Sequence, residues 1–114
     1  MSDCLFCKIV SGEIIPDVVY ESDNVLAFRD INPQAPVHIL IIPKQHIVSL
    51  NELDTGHSIV IGEMYSAAQA IADEYGIKSS GYRTVINCGD DGGQTVFHLH
   101  LHLLGGRALG WPPG

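Results

Sequence analysis

The chain is poor in the residues that would announce a disulfide framework, a membrane span or a nucleic-acid surface. Only 3 of its 114 residues are cysteine. An odd count, with no secretory leader at "MSDCLFCKIVSGEIIP", argues against paired cystines and leads us to expect a reducing, cytoplasmic setting. No apolar run approaches the roughly 18 residues needed to span a bilayer, so no membrane partner is expected. Basic residues number 6 against 13 acidic ones, a net charge of −7. That balance excludes a sequence-independent nucleic-acid binder, whose affinity rests on a basic surface. An anionic ligand would have to be held by local donors. Internal repeats, low-complexity segments and linker-like stretches are also missing, which predicts one domain over residues 1–114. A domain of this size buries about two thirds of its unfolded surface and is near the size at which dimerisation helps.

The patterns that are present describe an α+β fold. A short N-terminal helix is predicted over 4–10, with Leu5, Phe6 and Ile9 on one side, before Gly12 and Pro16 interrupt it. Strands are expected over 18–21, 25–29 and 37–42, each rich in β-branched or aromatic residues and bounded by turn signals. The proline-rich "DINPQAP" between the last two reads as loop. One long helix is predicted over 55–75: Val60, Met64, Ala67 or Ala68, Ile71 and Tyr75 recur at helical steps, Asp54 or Thr55 can cap it, and Gly76 can stop it. Its His57 has no evident role. Strands over 82–88 and 96–104 follow, joined by "GDDGGQ". The expected architecture is an antiparallel meander of about five strands with the helix covering one face.

The chemistry is concentrated in "TVFHLHLHLLGG", where His98, His100 and His102 alternate with Phe97, Leu99, Leu101 and Leu103. Period-two alternation predicts a half-buried strand with imidazoles on one face and a core on the other. Three readings of that stripe stay open at this point. It could be a solvated sheet face, although polar rows on sheets favour other residues. It could be a zinc site, since His-x-His on a strand chelates metal and a third ring would leave a position for water. Or it could be nucleophilic chemistry at phosphorus, because a neutral imidazole attacks well near pH 7 and its neighbours can move protons. The preceding Gly92 and Gly93 could let backbone N–H groups converge on an anion, with Gln94 and Thr95 adding side-chain donors, though a tight hairpin explains two glycines equally well. Donors aimed at oxygens beside a nucleophile suit phosphoryl or nucleotidyl transfer.

"HLHLHLL" resembles the His-x-His-x-His-x-x signature, x apolar, of the histidine-triad (HIT) nucleotide-binding family. "FRDINPQAPVHILIIPKQH", "GYRTVINCGDDGGQTVFHLHLHLLGGR" and the terminal "WPPG" resemble its Hint branch, whose known members are purine nucleoside phosphoramidases. The resemblance covers almost the whole chain and implies a hydrolase of nucleoside 5′-phosphoramidates with no cofactor for catalysis. It implies that His100 is the nucleophile, that His102 and His38 form a proton relay, and that His98 completes the triad. It further implies that Asp30 accepts the ribose hydroxyls and that Leu5, Phe6, Ile9, Phe28 and Ile31 wall the purine. Gly93, Gln94 and Thr95 would serve the phosphate and leaving-group region, and Asn87 would help fix the site. Within the family a dinucleoside-polyphosphate hydrolase is the nearest alternative, and a nucleotide-binding adaptor is the non-enzymatic one.

Cys4-x-x-Cys7 supplies half of a tetrahedral zinc set; the other half must come from elsewhere, and two spare thiols remain the alternative. The resemblance implies His46 and His98 as the remaining ligands of a structural zinc. It also implies a homodimer with a continuous sheet, in which the stiff tail over 105–114 places Trp111 at the partner's site. Cys88 belongs to no motif and reads as packing.

Overall fold

In a computed structural model, which describes residues 3–114, five short strands form one antiparallel sheet. β1 (Val18–Glu21), β2 (Val25–Arg29) and β3 (Val37–Pro43) follow one another as a meander. β4 (Tyr82–Val85) and β5 (Leu101–Gly105) complete the sheet, but β5 enters between β3 and β4, so the spatial order is β1-β2-β3-β5-β4. The α+β class, the five strands, the long helix and the short N-terminal helix are as expected. The last connection is not a short hairpin turn: residues 86–100 separate β4 from β5.

Alternation along the strands divides the molecule into two apolar layers. Val25, Ala27, Ile39, Ile41, Leu101 and Leu103 face α2 (Ser58–Glu74), which supplies Met64, Ala67, Ala68 and Ile71. Burying side chains the size of Met64 and Ile71 contributes roughly 1.5–3 kcal/mol each. On the opposite face Leu26, Phe28, Leu40 and Ile42 meet Phe6 and Ile9 of α1 (Leu5–Val10). A helix of 6 residues covers only about 9 Å of that face. The uncovered remainder of the face is the floor of a cavity.

α2 starts later than expected because residues Thr55–His57 wind as a 3-10 turn. Asp54 Oδ1 accepts from the Gly56 N–H at 2.8 Å, and His57 Nδ1 accepts from the Asp54 N–H at 3.1 Å. This capping box gives His57 the role that periodicity did not reveal. Gly76, with φ +72°, ends the helix as expected.

The histidine strand is shorter than its alternation suggests. The β3–β5 ladder reaches Ile41↔Leu101 and stops, because Pro43 has no N–H to offer the next rung. The Leu99 N–H goes instead to the Ile47 carbonyl at 2.6 Å. His98, in a bend, and His100 therefore lie in the segment before β5, and only His102 lies in the strand. Leu99, Leu101 and Leu103 are fully buried toward α2, whereas Phe97 is 50% exposed and does not belong to the core. β4 ends at Val85, opposite His102, rather than at Cys88.

Candidate active site

A cavity of about 550 Å³ opens on the α1 face of the sheet, within the size range of small-molecule sites. Leu5, Phe6, Ile9, Phe28, Asp30, Ile31, Thr95, His100 and His102 line it, as the nucleotide reading requires. Ile14, Ile15, Pro16 and Leu40 also line it. Sequence reasoning missed Ile14, Ile15 and Pro16 because Gly12 and Pro16 mark a break, and a break carries no periodicity to assign its apolar residues to a wall.

Obligate backbone donors and acceptors fix the tautomers of the imidazoles. A carbonyl can only accept, so His100 Nδ1, 2.7 Å from the His98 carbonyl, carries a proton and donates it. The lone pair of neutral His100 is then on Nε2. Burial holds the ring's pKa below its ordinary value, keeping the neutral form. A backbone N–H can only donate, so the Gln34 N–H, 3.0 Å from His38 Nδ1, makes that nitrogen an acceptor. His38 Nε2–H faces His102 Nδ1 at 2.9 Å and Asp30 Oδ2 at 3.4 Å. His102 accordingly carries its proton on Nε2, a buried nitrogen with no hydrogen-bond partner among the described residues. Burial, with the repulsion that a protonated His102 would meet from protons on His100 and His38, pulls His102 down to about 4, and burial also lowers His38. The result is a directional chain, Gln34 to His38 to His102, ending in a donor on the ring next to His100, with the two rings' centroids 5.0 Å apart.

Asp30 stands at the end of β2, where its Oδ1 accepts from the Asn32 N–H at 2.8 Å. This turn fixes the carboxylate at the cavity wall. Phe6 inserts its ring edgewise between His98 and His100, at 5.9 and 5.1 Å, and against Phe28 at 5.6 Å.

The glycine loop corrects one expectation. The Gly93 N–H bonds to the Asp90 carbonyl and the Gln94 N–H to the Gly89 carbonyl, both at 3.0 Å, so neither is free for an anion. Gln94 is buried, and its side chain is also occupied: Nε2 donates to the Val48 and Val96 carbonyls at 2.8 and 3.1 Å, and Oε1 accepts from the Gly89 N–H at 3.0 Å. Gln94 shapes the loop rather than reaching the cavity. A Cβ at Gly92 would collide with the Cys88 carbonyl, so the two glycines serve the turn. Asn87 is half-buried and lies outside the cavity lining, and Trp111 is 83% exposed.

His98 is fully buried and faces a different task. Its Nε2–H donates to the Pro43 carbonyl at 2.8 Å, which leaves the Nδ1 lone pair pointing at Cys4 Sγ (3.4 Å), Cys7 Sγ (3.6 Å) and His46 Nδ1 (3.3 Å). Cys7 Sγ lies 3.2 Å from His46 Nδ1. Zinc bonds of about 2.3 Å to sulfur and 2.0–2.1 Å to nitrogen give tetrahedral edges of about 3.3–3.8 Å. The quartet fits that ion, and the Pro43 carbonyl is the outer partner that a ligating imidazole needs. Asp30, His38 and His102 also cluster, but the Gln34 N–H holds His38 in the tautomer that protonates the nitrogen facing the cluster. That group is a proton chain rather than a metal cage. A catalytic metal on the three triad rings is likewise not supported, because the lone pairs of His98 and His100 point to different places.

Comparison with known proteins agrees with this geometry. The HIT domain pattern matches residues 11–109. The purine nucleoside phosphoramidase of Escherichia coli is 49% identical over 95% of this chain and 91% of its own length. A 14 kDa zinc-binding protein of Zea mays is 50% identical over 99% of this chain and 89% of its own. The crystal structure of a HIT family hydrolase from Legionella pneumophila superposes with a TM-score of 0.97 at 52% identity, covering 98% of this chain and all of that one. Among the described residues no helix is long and apolar enough to cross a membrane. The chain belongs to the HIT family and is a hydrolase.

Proposed function

We propose that the protein hydrolyses the P–N bond of purine nucleoside 5′-phosphoramidates through a nucleotidyl-histidine intermediate on His100. The observation that carries this reading is an unprotonated His100 Nε2 on a ring 5.0 Å from that of His102, whose Nε2–H has no partner among the described residues, with both rings lining one apolar cavity. His100 Nε2 attacks the α-phosphorus as the P–N bond breaks, and the leaving nitrogen departs as an amine with a proton that the His38–His102 pair takes up from solvent as the anionic substrate binds. The pair thereby returns to its neutral form, and the substituted His100 ring carries a positive charge beside the phosphate. Water then attacks phosphorus, releases His100 and returns the proton to the pair. One difficult displacement becomes two easier ones. The purine sits against Phe6, Ile9, Phe28, Leu5 and Ile31, and Asp30 accepts the ribose hydroxyls, a role suited to an acceptor-only group. Similarity to the Escherichia coli phosphoramidase supports the substrate class.

We further propose a structural zinc on Cys4, Cys7, His46 and His98, supported by the ligand spacing and by the name of the Zea mays relative. The thiols suit a reducing cytoplasm. The exposed Trp111 and the uncovered edge of β4 support a homodimer in which the tail reaches a second copy.

The test is intact-protein mass spectrometry after rapid quench with an adenosine 5′-phosphoramidate. A nucleotidyl adduct that maps to His100 and is missing in His100→Ala supports the reading. Undiminished turnover by His100→Ala overturns it.

A further inference from the structure

We infer that the metal-binding quartet sets the wall of the nucleotide pocket, so that zinc occupancy and nucleotide affinity are thermodynamically coupled. This rests on the nucleotide reading of the cavity. The wall is α1, and a helix of 6 residues has no stability of its own in water. Its Phe6 and Ile9 line the cavity and join the apolar layer on the sheet, with Leu5 beside them. Among the described residues its Lys8 pairs only with Glu13, at 4.0 Å and within the same N-terminal segment. Polar attachment to the body runs through the cysteines. Cys4 sits at the N-cap, where its Sγ accepts from the Cys7 N–H at 3.3 Å, and Cys7 lies one turn further on.

Both sulfurs point at imidazoles carried by two other parts of the chain. His46 follows β3, and His98 leads into β5. An ion on these four groups joins the pocket wall to the segment that carries His100. Phe6, between the two cysteines in sequence, rests its ring on both His98 and His100. Without the ion, only thiols and imidazoles meet there, and thiols are weak hydrogen-bond donors. The α1 wall is then freer to leave the sheet, and a nucleotide must order it on binding. The wall and the nucleophile are both positioned from one cluster that lies outside the cavity lining.

Linkage makes this inference testable in two directions. If zinc tightens AMP by a given factor, AMP tightens zinc by the same factor. Full-length protein, stripped with a chelator or reloaded with zinc and assayed for metal content, is titrated with AMP by calorimetry, and amide exchange is followed over residues 6–10. Stripping should weaken AMP binding about tenfold and speed exchange in α1 while α2 is unchanged. Saturating AMP should strengthen zinc binding to the same extent. His46→Ala removes a ligand outside both α1 and the cavity, and should reproduce the stripped state with zinc supplied. AMP affinity and α1 exchange that are identical in stripped and reloaded wild-type protein would overturn the coupling while leaving the nucleotide reading intact. Zinc-loaded protein that fails to bind AMP would overturn both, and failure to take up zinc would overturn the coupling.

Discussion

His98 accepts, through its backbone carbonyl, a 2.7 Å hydrogen bond from Nδ1 of His100. One histidine thus decides which nitrogen of the next keeps its lone pair free. His98 itself is turned away from the cavity by its bond to Pro43, so the two residues share a motif and divide its labour. His100→Ala should lower kcat for an adenosine 5′-phosphoramidate on the order of 10³-fold or more, as expected for loss of a nucleophile. His98→Ala keeps the carbonyl and should cost less. Single-turnover kinetics of both variants checks the order; equal losses would mean that His98 takes part in the chemistry.

The His38–His102 chain predicts a separate effect. His38→Ala removes the donor that holds His102 Nδ1 as an acceptor, and should reduce kcat by about 10²-fold, the lower end for general acid–base catalysis. KM should change little, because His38 does not line the cavity. A change confined to KM would contradict the relay.

Acid should destabilise the fold through the same rings. His102 is held at about 4 against an ordinary 6.5, and burial also lowers His38, His98 and His100. Between those values the unfolded chain binds more protons, so this contribution is complete above 6.5 and is lost as pH falls toward 4. Urea midpoints at pH 7.5, 6 and 5 should fall in that order. The slope should be shallower in His102→Asn; an unchanged slope would place its source elsewhere.

Gln94 should behave as a structural residue. Gln94→Ala leaves the Gly89 N–H and the carbonyls of Val48 and Val96 without their partner, and should destabilise the protein by about 2–4 kcal/mol. Equilibrium denaturation measures this directly. A variant with wild-type stability but a raised KM would restore Gln94 to the phosphate.

Much of this arrangement was legible in the chain. The steps from Val60 to Tyr75 located α2, and period-two alternation sent Leu99, Leu101 and Leu103 to the helix side. Strand ends were less legible where a partner, not the strand itself, sets the limit. Pro43 closes the ladder opposite the histidines from a position 55 residues away from His98, and nothing in "HLHLHLL" encodes that. The Gly-Gly turn misled for a related reason. The N–H groups of Gly93 and Gln94 are already bonded to the Asp90 and Gly89 carbonyls, since a turn must satisfy its own donors before it can hold a ligand.

By itself, then, the sequence determined which faces are apolar, which residues can do chemistry and the family to which they belong, because periodicity and motif are properties of neighbours along the chain. Only the tertiary structure decided what each imidazole does. Three histidines of one type, two residues apart, came to present different nitrogens to different surroundings, because the Pro43 carbonyl and the Gln34–His38 chain keep the proton of His98 and of His102 on Nε2, whereas the His98 carbonyl keeps that of His100 on Nδ1. Most of those partners are distant in sequence, and a tautomer is set by the group the ring meets in space.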